Sequence, residues 1–76
     1  MPRVIVEDMI ERASRVDTTS TVNVIYIGEA DPGVSDDQPF WRIQKIDLGP
    51  PIQMLWAGGT DQYDKRWDQR LSLVYS

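Results

Sequence analysis

Neither cysteine nor histidine occurs in the 76 residues of this chain. A disulfide bond, a thiolate nucleophile, an imidazole base and the sulfur or imidazole ligands of a zinc site are therefore excluded. Most familiar hydrolase mechanisms depend on one of these groups. The sequence accordingly predicts a protein without catalytic activity.

Positive charge is also scarce, since 8 lysines and arginines stand against 12 acidic residues, for a net charge of −4. A negative surface repels nucleic-acid phosphates, and the basic residues form no stripe that would attract them. The longest apolar runs, residues 4–6 and 24–27, are far shorter than the roughly 20 residues of a membrane-spanning helix. We expect neither a nucleic-acid partner nor a membrane partner.

The chain is short for a protein that has no covalent or metal crosslink. Ordering a residue costs about 1.5 kcal/mol, and a single core of this size usually leaves only a few kcal/mol of net stability. Binding to neighbouring subunits adds stability by mass action. The size therefore favours a protein that works in an assembly, as a homo-oligomer or a multi-copy ring.

Alternating apolar residues and turn signals predict a mainly β protein. The best strand is residues 21–27, where Val22, Val24 and Tyr26 share one face. The other face of this strand becomes apolar near its end, at Ile25 and Ile27. We therefore expect other parts of the protein to cover both faces of the strand there. The predicted strands are residues 21–27, 40–46, 52–57 and 71–75, with a short helical turn at residues 61–67. These elements predict a four-stranded antiparallel meander sheet or a partial barrel, forming a single small β domain over residues 17–76.

The segment before this domain, residues 1–16, has a different pattern. Apolar residues at near-helical spacing over residues 2–16 predict an amphipathic helix of about three turns. An extended arm is the alternative, because residues 4–6 are β-branched. The apolar stripe either packs on the domain's own sheet or reaches a neighbouring subunit. In the second case Val6, Met9 and Ile10 are the partner-binding residues.

Clustered acids are the remaining candidates for chemistry. The group at Asp31, Asp36 and Asp37 lacks the ligand spacing of a calcium loop. A second group, Asp61, Asp64 and Asp68, suits a helix N-terminus and local ion pairs better than acid and base catalysis. No glycine-rich loop continues into the lysine that a phosphate site requires. We expect no metal, no cofactor, no catalytic residue and no small-molecule substrate.

Seven aromatic residues occur in the chain, and most of them are needed to form a core. Trp41, Trp56 and Trp67 are predicted core residues. Phe40 and Tyr63 flank loops, so they are the aromatic residues expected at a partner surface, where Trp, Tyr and Arg dominate binding energy. Arg42 and Arg70 are expected to bind acids or carbonyls, either within the fold or across an interface.

From residue 26 onward, the order of motifs resembles a group of small virion proteins of tailed bacteriophages. The pattern is Y-x-G-x-A, then W-R-I-x-x-I, then W-x-x-R-x-S-L-x-Y. It is carried by residues 26–30, 41–46 and 67–75, with Pro32-Gly33 and residues 56–59 (Trp-Ala-Gly-Gly) between them. The resemblance covers about two thirds of the chain. The N-terminal segment departs from the group.

This resemblance implies a non-catalytic structural subunit, present in many copies of a phage particle that is assembled in the host cytoplasm. Its expected partners are other phage structural proteins. The place in the particle stays open among capsid decoration, neck, tail, baseplate and fibre attachment. The alternative function is that of a small cytoplasmic adaptor or regulator that binds one protein partner.

Overall fold

The backbone is organised around one four-stranded sheet. A computed structural model describes residues 13–76. Its elements are β1 (Ala13–Asp17), β2 (Val24–Ala30), β3 (Arg42–Asp47), β4 (Gln53–Trp56) and a 3₁₀-helix (Trp67–Gln69). The strands follow the order β1-β2-β3-β4, and each neighbouring pair is antiparallel. The prediction of a mainly β, four-stranded antiparallel meander is confirmed.

The first strand corrects the prediction for residues 13–16, which were assigned to an N-terminal helix or arm. These residues pair with β2, with Ala13 opposite Ala30 and Val16 opposite Ile27. Pairing with a neighbouring strand outweighs the weak helix preference of a short segment. The prediction of a helix or arm over residues 1–12 lies outside the described residues.

The last predicted strand, residues 71–75, is also corrected. Its end alone reaches the sheet, where Tyr75 bridges Ala57 and the backbones of Trp56 and Ser76 exchange two hydrogen bonds of 3.1 Å. Gly58 and Gly59 both have positive φ, so β4 ends at Trp56 and the chain turns there. The predicted helical turn at residues 61–67 appears later along the chain, as the 3₁₀-helix at Trp67–Gln69.

One side of the sheet, which we call the core face, is buried. In β2 the residues Val24, Tyr26 and Ala30 alternate inward. The predicted strand at residues 21–27 assigned Val24 and Tyr26 correctly, but Val22 precedes β2 and is exposed. Ile43 of β3 and Trp41, which precedes β3, are fully buried beside them. The segments that follow β2 and β4 cover this face, with Val34, Leu73 and Tyr75 packed against it.

Gly28 allows two tryptophans to approach the sheet. A Cβ atom at this position would lie 2.5 Å from Cε3 of Trp67 and 3.2 Å from Cε3 of Trp41. The ring centroids of these tryptophans are 6.1 Å apart, a typical distance for an aromatic pair. Both are buried, as predicted, whereas Trp56 is only partly buried.

An ion pair connects the first strand to the C-terminal part of the chain. Arg70 Nε donates to Asp17 Oδ2 at 2.8 Å, and the Arg70 guanidinium lies 4.6 Å from the Trp67 ring centroid. Asp17 also accepts the backbone N–H groups of Thr19 and Ser20. The Ser20 side chain, then Arg70 and the Thr19 N–H, hold the pKa of the Asp17 carboxyl well below its usual range. Arg70 therefore binds an acid within the fold.

Candidate functional site: the open face of the sheet

The opposite side of the sheet has two largely apolar rows beside a polar row of Ser14, Glu29 and Arg42, and none of its apolar side chains is buried. Residues that lie directly opposite each other in an antiparallel pair project from the same face. One row across the four strands consists of Val16, Ile27, Gln44 and Trp56, and the next consists of Ile25, Ile46 and Met54. We call this seven-residue surface the open face. Gln44 is its one polar member.

Exposure on the open face is greatest at its two edges. Val16 on β1 is 64% exposed and Met54 on β4 is 61% exposed, whereas the inner isoleucines are partly buried. Scattered exposed aliphatic residues are normal on a protein surface, but a contiguous apolar array that crosses a whole sheet marks an interaction site. The open face is therefore the candidate functional site.

A charged and aromatic cluster borders the open face. Arg42 of β3 lies opposite Glu29 of β2, and its Nε donates to Glu29 Oε1 at 2.8 Å. The guanidinium carbon lies 5.5 Å from the Trp56 ring centroid and 5.0 Å from that of Tyr63. The hydrogen bond to Glu29 is the main cause of the raised pKa of Arg42. The pair places no net charge beside the open face.

This arrangement suits protein binding better than chemistry. It combines aliphatic side chains with a tryptophan, a tyrosine and an arginine, which are the residue types enriched in interface hot spots. The arginine is already held in place by Glu29 and by two rings, so it loses little conformational freedom when a partner binds. The open face offers no nucleophile and no carboxylate of its own.

Several acidic residues outside the open face form ion pairs or hydrogen bonds within the fold. Asp64 pairs with Lys65, Asp68 pairs with Arg66, and Asp36 pairs with Arg15. The Ser35 hydroxyl donates to Asp37 and lowers the pKa of that carboxyl. Within residues 13–76, no three or more acidic side chains are grouped so that they could hold a metal ion.

The predicted partner-binding residues fall in two groups. Phe40 is 52% exposed and Tyr63 is 38% exposed, and Tyr63 borders the open face through Arg42. Val6, Met9 and Ile10 lie outside the residues that the structure describes. Partner binding by these five residues stays a prediction.

Sequence reasoning did not identify the open face as a surface, although its parts were visible. The second apolar side of β2, with Ile25 and Ile27, was expected to be covered, yet both residues are only partly buried in the described part of the chain. Met54 and Trp56 were assigned to one side of their strand, as observed. The sequence does not reveal the register of strand pairing, and it is this register that places these residues on the same face as Val16.

Comparisons with known proteins identify no relative. No protein-family model matches the chain, and no curated protein or solved structure matches it either. The described part of the chain contains no helix that is long and apolar enough to cross a membrane.

Proposed function

We propose that this chain is a non-catalytic structural subunit of a tailed-bacteriophage particle, where it binds neighbouring protein subunits through the open face. The observation that carries the binding role is the apolar array across all four strands, with exposed aliphatic residues at both edges. A neighbouring subunit that covers it would bury this apolar surface and gain about 25 cal/mol for each Å² removed from water.

The motifs that resemble phage virion proteins support the particle assignment. In the fold they serve the core: Tyr26, Ala30 and Trp41 are buried, and Gly28 makes room for Trp67. These residues act together as one packing unit, so their joint occurrence argues for a shared fold. Ile46 and Trp56 of the same motifs lie on the open face, whereas its exposed edge residues Val16 and Met54 lie outside the motifs.

Mass spectrometry of purified particles tests this proposal. The chain should be present at a stoichiometric copy number with the other structural proteins. Absence from particles, together with a complex between the chain and one other protein in infected cells, would contradict the proposal and favour the cytoplasmic adaptor.

A variant pair tests the role of the open face in the same particles. Met54→Lys places a charge on the open face, and Val22→Lys places the same charge at a residue that is 86% exposed in the connection before β2. Met54→Lys should reduce the copy number in particles at least about tenfold, because a lysine ammonium is costly to bury in an apolar interface. Val22→Lys should be incorporated normally. Equal incorporation of both variants would rule out the open face as the binding surface.

A further inference from the structure

We propose that the occupant of the open face is the N-terminal segment, residues 1–12, of a neighbouring copy of the same chain. This inference rests on the proposed function, because it names the partner of the same surface. Two copies would then be joined head to tail, and repetition of this contact gives a ring or a longer array.

Composition matches the segment to the surface. Six of its twelve residues are aliphatic or methionine, namely Met1, Val4, Ile5, Val6, Met9 and Ile10. The open face is apolar except for Gln44, and the Glu29–Arg42 pair beside it adds no net charge. Apolar side chains from the segment would therefore meet a surface without an uncompensated charge, so little desolvation opposes their burial.

Length and attachment support the same occupant. Neighbouring strands are about 4.8 Å apart, so the four strands span roughly 14 Å from β1 to β4. Twelve residues cover about 18 Å as a helix and about 40 Å when extended, which is enough in either form to cross the open face. The segment is joined to Ala13, the first residue of β1, which is an edge strand of the sheet that residues 13–76 form.

The connection to β1 favours a neighbouring copy over the same chain. To reach its own open face, the segment would have to reverse direction immediately before Ala13. Such reversals usually use glycine, proline, asparagine, aspartate or serine, yet residues 9–13 contain none of these, and the first glycine of the chain is Gly28. The absence of turn residues at this junction is the reason to assign the segment to the open face of a neighbouring copy.

Sedimentation velocity of full-length variants tests this inference. The segment variant carries Met9→Lys and Ile10→Lys, the surface variant carries Met54→Lys, and Val22→Lys serves as the control for added charge. The unmodified chain and the control should assemble. The segment variant and the surface variant should each be monomeric, with self-association weakened about 100-fold or more. Circular dichroism should show that all variants keep the same strand content.

Mixing the two deficient variants gives the decisive result. The surface variant has an intact segment, and the segment variant has an intact open face, so an equimolar mixture should form a 1:1 dimer that neither variant forms alone. If the segment variant assembles like the unmodified chain while Met54→Lys abolishes assembly, the open face pairs with something other than residues 1–12. A monomeric unmodified chain would also overturn this inference. In both cases incorporation into particles would still test the proposed function separately.

Discussion

The two faces of the sheet are built by the same four strands, but they are completed in different ways. The core face is closed by residues that come later in the same chain, chiefly Trp67 and Tyr75. The open face keeps its edge residues Val16 and Met54 largely exposed. Within residues 13–76, apolar cover reaches only one side of the sheet. The shortage of core in a small domain can thus be confined to one surface, which makes that surface the candidate for binding.

Substitution of the tryptophans provides the largest expected contrast between the faces. Trp41→Ala on the core face should lower the free energy of unfolding by about 3–5 kcal/mol, because it leaves a large cavity beside Ile43. Trp56→Ala on the open face should cost less than half as much, since this ring is only partly buried. Urea denaturation followed by circular dichroism measures both losses. Equal losses would mean that the two faces contribute alike to folding.

Gly28→Ala tests the close packing of the core face. The added methyl group would meet the Trp67 ring, so we expect a loss of about 1–3 kcal/mol from overpacking. The double variant Gly28→Ala with Trp67→Phe should lose less than the sum of the two single variants, because the smaller ring leaves room for the methyl group. If the losses of the two single variants simply add in the double variant, contact with the Trp67 ring is not the cause of the loss in Gly28→Ala.

The Asp17–Arg70 pair joins β1 to the C-terminal part of the chain that covers the core face. It predicts a dependence of stability on pH. Because folding lowers the pKa of Asp17, the resulting stability is fully present above the unfolded pKa near 4 and is lost as the pH falls below it. Asp17→Asn should lower the thermal midpoint at pH 7 and should flatten its decline between about pH 4 and pH 2.

The matched control for this pair is Asp68→Asn, which removes the half-exposed partner of Arg66. An exposed ion pair contributes at most about 1 kcal/mol, so the control should change the thermal midpoint at pH 7 less than Asp17→Asn does. A steep acid-side decline that persists in Asp17→Asn would assign the pH dependence to other carboxyl groups.

The smallest effect on folding is expected at the open face itself. Met54→Lys should change the free energy of unfolding of the monomer by no more than about 0.5 kcal/mol, because the methionine is already exposed. Urea denaturation at low protein concentration measures this change. A loss comparable to that of Gly28→Ala would show that Met54 belongs to the folding core, and it would weaken every assembly experiment that uses this variant.

The core face could be predicted from the sequence because its signals are local. Alternation in residues 21–27 identified Val24 and Tyr26 as inward residues, although Val22 is exposed, and the need to bury large rings identified Trp41 and Trp67. The antiparallel meander followed from the turn residues between strands. These inferences need only neighbours along the chain and the rule that large apolar side chains are buried.

The open face could not be predicted in the same way because it depends on pairing. Its residues come from four segments, and only the register places Val16 beside Ile27 and Ile46 beside Met54. Val16 also continues the near-helical spacing of residues 6–13, so the sequence pattern favoured a helix where the sheet forms β1. Apolar residues predict burial, and they do not tell whether the cover comes from the same chain.

The central claim is that the open face is covered in the assembled particle, and the absence of cysteine permits a direct test. A single thiol introduced by Met54→Cys, or by Val22→Cys as the exposed control, is labelled with a maleimide in the dilute isolated chain and in purified particles. Assembly should slow labelling of the Met54→Cys variant at least about tenfold and should leave that of Val22→Cys unchanged, because reaction requires access to the thiol. Equally fast labelling of Met54→Cys in both states would show that the open face is not covered in the particle.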